Sequence, residues 1–277
     1  MNYLGKILFL IALVASLFPL YSTNIEETFL DQESCVNDSM PLSKEEIIEY
    51  LNLFTSLSPT YSTNLEKELI YQKPPSKDSM ALSQEKIIEY LNFGLNDEKE
   101  PYLRSNAAER LSVEKKEYAS SIYLSIALNT KIDTFSRAQA VEDLSNLSAP
   151  FKKLAQDLYF IISLDPNTDE ELKTELQELS RRPKILEKIN KKKLSQCLSF
   201  ALDAEKDCEL RLKTGEKLGN DDVNYESLVY ISIVLNQKID PYFRFTAINN
   251  LNKFHQNTVR LCSHLYSILL LDFNIEI

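Results

Sequence analysis

Seven anchor positions at near-constant spacing constrain this chain more than any other feature. A Tyr-x-x-Ile-x-Leu core begins at Tyr123, Tyr159 and Tyr230, and variants of it begin at Tyr50, Tyr90, Cys197 and Tyr266. Successive anchors lie 40, 33, 36, 38, 33 and 36 residues apart. Two longer copies overlie this period. Residues 38–52 recur as 78–92, changed only at positions 41, 44 and 46, and residues 118–144 align without gaps on 225–251, an offset of 107 or three units. A fixed period in this range marks a chain built from supersecondary units that bury their apolar faces by stacking on one another.

Each unit reads as two helices. The first carries the anchor, with apolar residues three and four apart, as in Tyr118, Ile122 and Ile126 beside Tyr123 and Ala127. Residues 158–164 (Leu-Tyr-Phe-Ile-Ile-Ser-Leu) are apolar nearly all round, as a helix enclosed by neighbours would be. A short turn follows, closed by an acid placed to cap the next helix, such as Asp133. The second helix bears Asp/Glu-x-x-x-Arg-x-x-Ala-x-x-x-Leu: Glu100, Arg104, Ala107, Leu111; Asp133, Arg137, Ala140, Leu144; Asp240, Arg244, Ala247, Leu251. Asp207, Arg211, Thr214 and Leu218 fit with one change. An acid at a helix N-terminus suits the dipole and is spaced to reach an arginine four residues on.

This signature resembles the HEAT repeat, over roughly residues 43–277. The resemblance implies an all-α, right-handed α-solenoid of about six helix pairs with a C-terminal capping helix, and acid–arginine ladders between adjacent units. The pattern departs where Leu172 and Glu175 replace Arg and Ala, and in residues 62–71, which lack the arginine.

Four Gly and two His among 277 residues leave no glycine-rich phosphate cradle and no ordinary zinc site. The net charge of −10 repels phosphate backbones and anionic membranes at long range, which disfavours nucleic acid as a partner. Residues 1–22 have the form of a secretory signal: Lys6, the apolar run 7–15, and Ser22 at a cleavage point. The expectation is export, with membrane attachment only if that segment stays uncleaved. Residues 23–42 form an acidic tail and 43–277 the helical array. Two sequons, at Asn37 and Asn146, matter only in a eukaryotic source.

Four cysteines in an exported chain raise the question of disulfides. Cys197 and Cys208 flank one helix turn at depths about 10 Å out of step, beyond bridging distance. They and Cys262 read as small hydrophobes. Cys262 and His264 lie two apart, so a helix points them in different directions and they form no dyad. His255 and His264 lack the spacing of a helical metal pair. Residues 181–193 gather seven bases against one acid, either a solvated face or a docking patch for an acidic partner or lipid head groups.

The expected function is that of a non-enzymatic scaffold, without cofactor or metal, binding another protein on its concave surface. In HEAT-like arrays the second helices line that surface, through positions two, five, six and nine after the arginine. Those are Asn106, Glu109, Arg110; Gln139, Glu142, Asp143, Asn146; Lys213, Glu216, Lys217; and Thr246, Asn249, Asn250, Lys253. The rival expectations are a self-associating structural component and an enzyme subunit using surface carboxylates.

Overall fold

The first helices of the expected pairs form as α2 (Gln84–Leu95), α4 (Lys116–Ala127), α6 (Ala149–Ser163), α8 (Lys191–Leu202) and α10 (Val223–Leu235). The second helices are α3 (Pro101–Ser112), α5 (Thr134–Leu147), α7 (Glu170–Leu179), α9 (Cys208–Gly219) and α11 (Pro241–Leu251). A shorter helix, α1 (Ser62–Tyr71), precedes them, and 264–269 are helical at the far end. The structure is a computed structural model and describes residues 62–71, 82–180, 191–220, 222–252, 262 and 264–269. These all fall in one compact unit, 41–277. Outside the described residues lie the signal segment, the acidic tail with Cys35 and Asn37, the anchor Tyr50, the basic residues 181–188, and Lys253.

The local rules for starting and stopping helices are met by particular residues. Asp133, Asp169, Asp207 and Asp240 each accept a backbone N–H of the helix they open, from Ser136, Leu172, Leu210 and Tyr242 at 2.8–3.0 Å. Six residues after each of the five anchors from Tyr90 to Tyr230 stands an Asn or Asp that shapes the turn. Asn96, Asn129, Asp165, Asp203 and Asn236 all accept, through Oδ1, the N–H of the residue two further on at 2.9–3.0 Å. Pro101 and Pro241 take the first helical position, where no N–H is needed.

Consecutive helices pack against one another along the chain, and first helices also touch first helices (α2 with α4, α8 with α10) as second touch second (α3 with α5, α9 with α11). Gly94 shows how closely α2 and α4 approach: a Cβ there would sit 2.3 Å from Cδ1 of Ile122. The core is built mainly from the first helices. In α4, the residues from Tyr118 to Leu124 are buried, as are Ile126 and Ala127; α10 is buried on all faces in the same way.

That enclosure comes from contacts between the two copies that the 107-residue offset relates. Helices α2 and α3 begin and end 107 residues before α8 and α9. The copies meet face to face, with α4 against α10, and the contacts are reciprocal. Lys131 pairs with Glu205, while Lys238 pairs with Asp97 at 3.0 Å and Glu98 at 3.6 Å. Lys131 and Lys238 are equivalent positions, as are Glu98 and Glu205. Tyr118 meets the ring of His264 edge-on at 6.0 Å, and its equivalent Tyr225 stacks on Phe160 of α6 at 6.4 Å. This is the self-complementary pattern of a two-fold interface, formed within one chain.

Candidate functional site

The signature arginines occupy the least accessible positions of any charged groups described. Arg104, Arg137, Arg211 and Arg244 are each 1% exposed. Each donates from Nε to a backbone carbonyl ten residues earlier, near the end of the preceding first helix: Gly94, Ala127, Ala201 and Val234, at 2.7–2.9 Å. The bond satisfies a carbonyl that a helix terminus leaves without an intrahelical partner. It also ties each second helix to its first. The motif acids Asp133, Asp207 and Asp240 cap their own helices, and Glu100 stands at the N-cap of its helix with no side-chain cap bond.

Beyond Nε, the arginines divide into two kinds. Arg137 reaches into the next unit, where Nη1 donates to Asp165 Oδ2 at 2.6 Å in a buried ion pair. Arg104 and Arg211 instead donate from Nη2 to Ser125 Oγ at 2.7 Å and Ser232 Oγ at 3.1 Å. Both hydroxyls pass their own protons to backbone carbonyls, of Ile122 and Val229. The Nη1 atoms of Arg104 and Arg211 are buried without a hydrogen-bond partner. Burial lowers the pKa of both guanidiniums, which remain charged at neutral pH.

These two arginines line one cavity of about 40 Å³ between the copies. Arg104, Ser125 and Asn129 contribute from the first copy, and their equivalents Arg211, Ser232 and Asn236 from the second. Asp97 and Lys131 also border it. Nothing in the reading of the signature as a ladder anticipated this cavity.

The positions of the expected second-helix ladder differ in exposure. Glu109, Gln139, Glu142, Asn146, Lys213, Glu216 and Lys217 are exposed. Arg110 is not; it is 6% exposed, within electrostatic reach of Glu68 on α1, which packs on α3. Asn106 donates from Nδ2 to the Leu69 carbonyl at 3.1 Å, so α1 covers that position too. Asp143 is half-buried and accepts from Ser105 Oγ at 3.2 Å, and burial pushes its carboxyl up. Thr246, Asn249 and Asn250 are half-buried, with Asn249 accepting from the Tyr266 hydroxyl at 2.6 Å.

Four large apolar side chains are exposed in the first turns of the second helices: Tyr102, Phe135, Leu210 and Tyr242, between 51% and 70%. Cys197, Cys208 and Cys262 are free thiols. Cys262 is buried, which pushes its thiol up to about 12, whereas Cys197 and Cys208 are only half-buried. His264 is half-buried against Tyr118 rather than on the surface. Among the described residues no cluster of three His, Cys, Asp or Glu is placed to hold a metal, and no helix is long and apolar enough to cross a membrane. Compared with family models, with curated proteins and with solved structures, the chain finds no match.

Proposed function

We propose that this chain is an exported, non-enzymatic helical-repeat scaffold that binds another protein through the outer faces of its second helices. The finer architecture belongs to the same proposal: a HEAT-like, right-handed array of about six helix pairs with a capping helix, whose second helices line the concave side of each copy. The observation that carries this reading is the division of labour between the two helix sets. First helices are spent on the core, while α3, α5 and α9 keep an outward face of charged and amide side chains: Glu109, Gln139, Glu142, Asn146, Lys213, Glu216 and Lys217. Tyr102, Phe135, Leu210 and Tyr242 add the exposed apolar anchors that such an interface uses.

The test is a crosslinking pull-down from the native compartment with wild-type bait and with Glu109→Lys/Glu142→Lys. Both substitutions sit on exposed positions, so the two baits should melt within about 2 °C of each other. A partner recovered by the wild type and lost with the variant is the expected result. Recovery of the protein itself from both baits would replace this reading with self-assembly.

A further inference from the structure

We propose that the cavity between the two copies is a binding site for a small oxyanion of phosphate or sulfate type, held by Arg104 and Arg211 with Asn129 and Asn236. This site is separate from the outer helix faces and does not depend on them.

The argument starts from Asp165. It stands six residues after its anchor, accepts the Asn167 N–H at 2.9 Å through Oδ1, and presents Oδ2 to Arg137 Nη1. One atom of its carboxylate builds the turn and the other neutralises the buried arginine from the unit before. At the equivalent place in the unit after Arg104 stands Asn129, and in the unit after Arg211 stands Asn236; both line the cavity together with those arginines. Each amide builds the same turn through Oδ1, to the N–H of Lys131 at 3.0 Å and Lys238 at 2.9 Å. That bond fixes which end of the amide is which. The atom left over is Nδ2, a donor, where Asp165 has an acceptor.

A change from carboxylate to amide at two positions related by the 107-residue offset thus leaves four donor groups around one space. All four side chains line the cavity: Arg104 and Arg211, each with a buried Nη1 that has no partner, and Asn129 and Asn236, each with its Oδ1 committed to the turn. Ser125 and Ser232 cannot answer these donors, since each already accepts an arginine and gives its proton to a carbonyl. Asp97, the one carboxylate in the lining, is bound by Lys238 at 3.0 Å and acts on Arg104 only through its charge; the second copy has Ala204 in its place, and Asp203 acts on Arg211 in the same way. Each of the two buried guanidiniums lining the cavity carries a desolvation cost that the charge of Asp97, for Arg104, or Asp203, for Arg211, offsets only in part. An anion that accepts from several directions offsets both, and bidentate donors of this kind suit phosphate and sulfate. The volume of about 40 Å³ admits a compact ion or a few waters.

The experiment is thermal unfolding of the full chain in millimolar phosphate, sulfate or a simple phosphate monoester, against chloride at equal ionic strength. Wild type is compared with Asn129→Asp/Asn236→Asp, which rebuilds at both positions the ion pair that Arg137 and Asp165 already make. The double variant therefore folds, and it should melt above the wild type in chloride. In phosphate or sulfate the wild type should gain about 3 °C, and the double variant nothing. A gain with the monoester as well would identify the anion as a phosphoryl group carried on a larger molecule; a gain with the inorganic ions alone would identify a free ion. No gain in any oxyanion, or an equal gain in both proteins, would overturn the proposal and leave the cavity to water.

Discussion

At the scale of single residues, the arginines show how one motif serves two ends. Arg137 and Asp165 are 1% and 9% exposed, so neither charge has water to fall back on. Asp165→Asn would keep the turn, because Asn129 makes the same Oδ1 bond, and would remove only the ion pair. We expect it to lower the unfolding free energy by about 3 kcal/mol, read as a lower urea midpoint with an unchanged slope. A loss under about 1 kcal/mol would mean that water or another acceptor replaces the carboxylate. The position of the arginine, as part of a repeated signature, was legible from the spacing. Its partners were not. A four-residue interval says only that acid and arginine share a helix face, whereas the guanidinium reaches a carbonyl ten residues back and an acid 28 residues ahead. The Asn-for-Asp difference at 129 and 236 was visible in the chain, but its meaning depends on the Arg137–Asp165 geometry.

At the scale of elements, α1 is held at its end of the stack by polar contacts that respond to pH. Glu68 accepts from the Tyr90 hydroxyl at 2.5 Å and from Lys86 at 3.0 Å, and Lys99 reaches Glu66 at 2.5 Å. Burial works to raise the Glu68 carboxyl, but the bonds from Tyr90 and Lys86 outweigh it and leave it lowered. Burial, then the bond to Glu68, pushes Tyr90 up to about 12. Burial works to lower Lys86, but its bonds to Glu89 and Glu68 leave it raised. The signs follow. A lowered carboxylate contributes stability that is present above its unfolded value and is lost as pH falls through its folded one. A raised lysine or tyrosine contributes stability that is present below its unfolded value and is lost as pH rises through its folded one. Amide protection in Ser62–Tyr71 should therefore be greatest from about pH 5 to 9 and fall on either side, with Glu68→Gln removing the acid limb. Protection that stays equally high below and above that range would show that Leu65 and Leu69 hold α1 without the polar cluster. The same helix explains why Arg110 and Asn106 are not part of an open ladder. Residues 62–71 lack the arginine of the signature, so nothing in their pattern shows that they lie across α3.

At the scale of the whole molecule, the closing of one copy on the other decides how the chain unfolds. A stack with contacts only between neighbours unfolds as a chain of nearly independent units. Here α4 and α10, about a hundred residues apart, enclose each other, and Phe160 stacks on Tyr225 across the copies. The exposed ion pairs at the join, Lys131 with Glu205 and Lys238 with Asp97 and Glu98, are screened by water and contribute little. Burial of aromatic and aliphatic surface must supply the rest. One trace of this was legible: residues 158–164 are apolar nearly all round, as a helix enclosed by neighbours would be. Which surface covers the extra face was not, because register between distant copies leaves no local pattern. The consequence for unfolding can be measured by denaturant titration, following helix content by circular dichroism. Wild type should give a single transition with a slope fitting the loss of the whole folded unit. Phe160→Ala should lower its stability by about 3–5 kcal/mol and split the curve in two, since the cavity weakens the join more than either copy alone. Two transitions already present in the wild type, or a variant that shifts a single transition without splitting it, would mean that the copies are coupled through the chain and not across the face.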